Sequence, residues 1–149
     1  VSAKLADEML RNLKFDNKTR ERVVTLVGYH DVQIPNRERS VRKWLGRLGP
    51  ETLFQLLEVK RADGMGQSYE LVQDRLAKLE EMKAKAEEIV TQGQCFSLKD
   101  LNVNGQDVIA AGIAPGPEVG RVLNRLLEQV LNGEIPNERK VLLNLIRLR

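Results

Sequence analysis

Residues Asn104–Leu127 read NGQDVIAAGIAPGPEVGRVLNRLL, and how this stretch folds decides the architecture. Gly112, Pro115, Gly116 and Pro117 crowd between two apolar patterns of helical spacing. Glycine reaches backbone conformations closed to other residues, and a proline suits the first turn of a helix, so the stretch reads as a structural bend between two helices. Glu118, next to Pro117, favours the positive end of the second helix. Val119, Val122, Leu123, Leu126, Leu127, Val130 and Leu131 then recur at steps of three and four. On chemistry alone the bend has two readings: pure folding, or backbone amides presented to a phosphate. Glu118 argues against a tight anion site, and Arg121 and Arg125 follow it one helical turn apart.

The same period runs through the rest of the chain. Ser2 can cap a helix carrying Leu5, Met9, Leu10 and Leu13, and Asn17 a second one carrying Val23, Val24, Leu26, Val27 and Tyr29. From about Arg37 to Leu48, Val41, Trp44, Leu45 and Leu48 face one way. Gly49 and Pro50 stop this helix and start the next, whose apolar side is Leu53, Phe54, Leu56, Leu57 and Val59. The longest pattern opens at Ser68 and ends near Gly93. Ser97 and Asp100 fit a capping box for a very short helix, and Val141, Leu142, Leu145 and Ile146 belong to a final one. About eight helices and no strand make the chain an all-α, multi-helical bundle. A change of style at "TQGQCFS" divides it into a helical body, residues 1–93, and a small helical tail, residues 94–149.

The 149 residues carry a net charge of +3 that is unevenly spread. Residues 1–50 hold 11 basic and 6 acidic side chains, residues 51–93 hold 6 and 9, and residues 94–149 hold 7 and 6. The positive field therefore belongs to the first third, where Arg39, Lys43 and Arg47 follow one another at steps of four with Arg37 and Arg42 beside them. This stripe suits a phosphate backbone, although a charged helix face is also often only solvated. Aromatic residues make up 4% of the chain, so base stacking on exposed rings is a weak expectation. Cys95 is the sole cysteine, which excludes an intrachain disulfide and a thiolate metal cluster and suits a reducing cytoplasm. No apolar run approaches the roughly 20 residues of a membrane span, and no signal-peptide layout opens the chain. Val1 already lies inside an amphipathic pattern, so the expectation is a fragment of a longer protein.

His30 stands beside Asp31 in "GYHD". Such a pair can bind a divalent metal, but a site needs further histidines and this chain has none, so His30 reads as a helix-end residue. Asp63 in "KRADGMG" is either a turn-maker beside a glycine or a metal ligand without its partners.

"GIAPGPEVG" resembles in outline the hairpin of helix-hairpin-helix modules. The longer run from Phe96 to Ile146, "FSLKDLNVNGQDVIAAGIAPGPEVGRVLNRLLEQVLNGEIPNERKVLLNLI", closely resembles the C-terminal tail of bacterial tRNA nucleotidyltransferases of the CCA-adding, poly(A) polymerase-like class. "LKFDNKTRERVVTLVGYHD", "SVRKWLGRLGPE" and "LLEVKRADGMGQ" look like the helical region before that tail, including the remnant of an HD-type domain. The resemblance implies a parent enzyme that adds C, C and A to tRNA 3′ ends with head-domain carboxylates and Mg²⁺. No paired "DxD" or "EDxxR"-like template motif occurs here, so the resemblance implies the body and tail, whose family role is to hold the elbow and acceptor arm of tRNA and which should be inactive alone, and it makes Arg121 and Arg125 the expected RNA contacts on the second helix. Carried onto "RAD", the HD element makes Asp63 a candidate metal ligand whose partners precede Val1. Two other readings compete: the C-terminal part of an HD-type phosphohydrolase, and a helical module whose long helix serves homodimerisation or docking of the head domain.

Overall fold

The computed structural model describes residues 2–64 and 69–148. Among them the chain forms eight α-helices and one 3-10 turn, with no strand. They are α1 (Ser2–Asn12), α2 (Asn17–Tyr29), α3 (Glu38–Leu48), α4 (Pro50–Gly64), α5 (Tyr69–Thr91), the 3-10 turn Leu98–Asp100, α6 (Gly105–Ala110), α7 (Pro117–Leu131) and α8 (Arg139–Arg147). The all-α reading holds.

Several helix ends obey the local chemistry of the sequence, and two depart from it. Pro50 and Pro117 open α4 and α7, where the missing N–H costs nothing because no intrahelical acceptor is available there. The Asp100 carboxylate accepts hydrogen bonds from Ser97 N at 2.8 Å and Ser97 Oγ at 2.7 Å, which closes the capping box of the 3-10 turn. The cap of α2, however, is Asp16 rather than Asn17: Asp16 has extended backbone, and its carboxylate accepts from Thr19 N at 2.9 Å and Thr19 Oγ1 at 2.6 Å. The Thr19 hydroxyl gives Asp16 a second bond and leaves Asn17 as the first helical residue. Ser2 lies inside α1, and Ser68, the expected start of the long helix, lies outside the described residues.

α1 and α2 form a hairpin tied by an ion pair between Arg20 and Asp7 at 2.8 Å. α1 buries no residue completely, and Leu5, Met9 and Leu13 stay exposed. The first apolar core joins Val41 and Leu45 of α3, Leu53 and Leu57 of α4, and Met82, Ala86 and Ile89 of α5. The α5 members recur at four and three residues, the stripe that a helix needs to face one neighbour. A second core joins Leu101, Val103, Val108, Val122, Leu126, Val130, Leu142 and Ile146. Cys95 packs against this second core and Phe96 against the first, so two consecutive residues turn to different interiors.

α3 meets the connecting segment at Gly46. A Cβ there would be driven into the carbonyl oxygen of Phe96, a backbone atom that cannot swing aside. Glycine at the centre of a helix weakens it relative to alanine, and here the lost side chain permits a close approach. Gly46→Ala should therefore destabilise the protein by about 1–3 kcal/mol, despite alanine's better helix propensity. Urea denaturation monitored by circular dichroism checks this; an unchanged or raised midpoint would show that α3 and Phe96 are not so tightly opposed.

Candidate nucleic-acid interface

The five basic residues on and beside α3 occupy different environments. Arg37 caps the helix with extended backbone, and it and Arg39 are exposed; among the described residues neither side chain makes a hydrogen bond or ion pair. Arg42 is held within the protein, donating from Nε and Nη2 to Gln94 Oε1 at 3.1 and 2.7 Å and pairing with Glu38. Lys43 reaches across to α7 and pairs with Glu128 at 3.1 Å. Arg47 lies with its guanidinium carbon 5.2 Å from the Tyr29 ring centroid and 5.5 Å from that of Trp44. The stripe thus divides into two open cations, a structural one, an interhelical one and one seated on aromatic rings.

Three elements enclose an open groove of about 810 Å³. The second half of α3 contributes Lys43 and Arg47, the 3-10 turn contributes Lys99, and α7 contributes Asn124, Leu127 and Glu128. Gly46 and Gly49 line it as well, so backbone is accessible on the α3 wall. Lys99 was not among the sequence candidates. A single lysine in a 3-10 turn carries no periodic signal, and its partners lie on α3, over fifty residues earlier.

Arg121 and Arg125 separate. Arg121 stands one turn before the groove residue Asn124 on α7, does not itself line the groove, and pairs with Glu118 at 3.0 Å. Arg125 instead borders the seam between α7 and α8, next to Leu145 and Ile146. The bend before α7 uses Gly112 at φ 99° and Gly116 at φ 147°, both in the region that favours glycine, with Pro115 between them and Pro117 at the first helical position.

A contact absent from the sequence candidates ties α8 to the start of α6. Arg139 donates to Asp107 Oδ1 at 2.5 Å and Oδ2 at 3.1 Å, and to Asn102 O at 3.2 Å. Asp107 Oδ2 also accepts from Asn104 N at 2.9 Å, while Asn104 Oδ1 caps α6 through Gln106 N and Asp107 N. This is a second capping box, written with Asn and Asp in place of the commoner Ser and Glu.

Outside the groove, His30 ends α2, with Nδ1 2.7 Å from Val27 O, which makes that nitrogen the donor. Lys60 is 6% exposed and donates to His30 O at 2.7 Å and Val32 O at 2.5 Å, stapling the segment after α2 to α4. Burial, with Arg75 nearby, lowers its pKa against the opposing pull of Asp31 and Asp63. Asp63 shares this cleft with Asp31, Asp74, Arg75 and Lys78, and its carboxylate lies 3.5 Å from the Arg75 guanidinium. Among the described residues no group of three or more His, Cys, Asp or Glu side chains could hold a metal ion. Among them, too, no helix is long and apolar enough to cross a membrane.

Fold and groove together define an all-α helical region whose basic residues edge an open surface. The family described as tRNA nucleotidyltransferase domain 2 matches residues 1–146, and the chain belongs to that family. An A-adding tRNA nucleotidyltransferase of Deinococcus radiodurans is 31% identical over 147 residues, covering 91% of this chain and 31% of that protein. CCA-adding enzymes of Lacticaseibacillus paracasei (47% identical, covering 32% of this chain and 12% of that protein) and Levilactobacillus brevis (39% identical, 39% and 15%) are also similar. The chain thus spans less than a third of the length of these relatives. No solved structure gives a significant match.

The Asp107–Arg139 contact predicts a pH dependence. The hydrogen bond from Arg139, followed by that from the Asn104 amide, holds the Asp107 carboxyl below its ordinary 3.8. Its folded pKa is below its unfolded one, so the contribution is present above 3.8 and is lost as the pH falls through the folded value. Arg139→Ala should lower the thermal midpoint at neutral pH, and the gap from wild type should close in acid. A gap that stays constant across that range would show that the ion pair does not act.

Proposed function

We propose that this chain is the tRNA-binding body and tail of a tRNA nucleotidyltransferase that adds all or part of CCA to tRNA 3′ ends. The observation that supports it best is the convergence of cations from two separate stretches, Lys43 and Arg47 of α3 and Lys99 of the 3-10 turn, on one groove. The relatives' names supply the substrate class, and the exposed Arg37 and Arg39 extend the positive edge along α3.

In this reading the chain's residues bind and orient, while a head domain carries out nucleotidyl transfer. Mg²⁺ belongs to that head. The residues described here do not fit such a site, since Asp63 is matched by Arg75 and no cluster of ligands forms among them. Lys43 and Lys99 neutralise phosphates along one side of the tRNA, and releasing the condensed counterions gives the affinity its salt dependence. The Lys43–Glu128 pair is partly exposed, so exchanging Glu128 for a phosphate costs little, within about 1 kcal/mol.

A salt titration of tRNA binding tests the proposal. The chain should bind tRNA at low salt with an affinity that falls linearly in log–log form, and Arg39→Ala with Lys99→Ala should flatten that slope by about one unit per removed contact. Arg121→Ala should weaken binding more than Arg125→Ala, because Arg121 precedes the groove residue Asn124 by one helical turn whereas Arg125 borders the seam between α7 and α8. Failure to bind tRNA at low salt would end the proposal; equal effects of the two arginines would move the interface off the groove.

A further inference from the structure

Arg47 differs from the other α3 cations in how it is held. Tyr29 and Trp44 meet edge to face, with centroids 5.2 Å apart and planes at 85°, and the guanidinium occupies the corner between them. Two rings from different helices thereby fix the position of a long, otherwise flexible side chain. Among the described residues Arg47 has no carboxylate or carbonyl partner, so none of them uses its N–H donors. The residue is exposed and lines the groove. Arg39 is exposed without such a support, and Arg42 and Lys43 spend their heads on Gln94, Glu38 and Glu128.

A phosphate contact needs only charge, and a mobile lysine supplies it. Pre-positioning a planar cation on an aromatic corner serves another purpose: the guanidinium plane is a surface on which an unpaired base stacks. We infer that Arg47, supported by Tyr29 and Trp44, is a stacking site for an unpaired RNA base at the groove. The inference rests on the tRNA-binding reading and deepens it. It divides the interface into phosphate contacts, which follow salt, and one base contact, which does not. Because every base has a π-face, the site takes an unpaired nucleotide of any identity, and a continuous duplex offers it nothing.

The test compares wild type with Arg47→Lys and Arg47→Ala on three RNAs: a tRNA transcript, a single-stranded oligonucleotide and a blunt, fully paired duplex of matched phosphate number. Arg47→Lys keeps the charge and removes the plane. It should lose roughly tenfold in affinity for tRNA and for the single strand, the scale of one stacked base, with an unchanged salt slope and unchanged duplex binding. Thermal melts of both variants verify the fold. If Arg47→Lys binds all three RNAs as wild type does while Arg47→Ala flattens the slope by about one unit, Arg47 is an ordinary phosphate contact and the stacking site is overturned. An equal loss on duplex and tRNA overturns it as well, in favour of bidentate phosphate binding. Wild type that binds no tRNA at low salt overturns the tRNA reading and this site with it. Normal tRNA binding that is indifferent to Arg47→Lys sinks the stacking site alone.

Discussion

The close approach of α3 to the Phe96 carbonyl at Gly46 is the constraint on which the rest of the molecule depends. It brings a helix of the first core against the segment leading into the second, at the point where Phe96 turns to one interior and Cys95 to the other. Polar contacts frame the same junction: Arg42 holds Gln94 just before it, and Lys43 reaches Glu128 on α7. Ion pairs of this exposure contribute only about 0–1 kcal/mol, so they refine a position that packing sets. Were α3 held further away, α7 and the 3-10 turn would no longer form the opposite walls of the groove.

That arrangement lets one short helix do two jobs. Val41 and Leu45 are fully buried, while Arg39, Lys43 and Arg47 follow one another down another side. An eleven-residue helix has about three turns, so each turn gives roughly one residue to the core and one to the groove. The basic side is graded by its surroundings. Tyr29 of α2 supports Arg47, Gln94 restrains Arg42, and Glu128 moderates Lys43. The chemistry of the stripe is therefore set by residues from other elements, although its charge is set by α3 itself.

This division explains what could be read before the fold was known. Chemistry local to a few residues was legible: Pro50 and Pro117 as helix starts, the Ser97–Asp100 capping box, and the period of three and four in α5 and α7. Adjacent Asp16 and Asn17 are both good caps, and Thr19 bonds to Asp16 through both its amide and its hydroxyl. Contacts distant in sequence were not legible. Arg139 meets Asp107 across 32 positions, and Lys99 joins Lys43 and Arg47 only because α3 is seated beside the turn. Gly46 reads as a weak point in a helix until Phe96 is placed against it. Lys60 drew no notice in the sequence, because the two carbonyls that hold its ammonium, those of His30 and Val32, lie about thirty positions earlier.

The contrast between the two charged clefts bears on where RNA would settle. Around Lys60 the opposite charges answer one another at short range: Arg75 stands by Asp63, and Lys78 pairs with Asp74 at 2.6 Å. Such a seam projects little field, and a phosphate entering it would face three carboxylates, Asp31, Asp63 and Asp74. At the groove the carboxylates are Glu128 and Asp100, the second already occupied in capping the 3-10 turn, against Lys43, Arg47 and Lys99. Beyond its rim Arg37 and Arg39 add charge with no carboxylate partner among the described residues. Of the two clefts, the one whose cations outnumber its carboxylates is therefore the groove along α3.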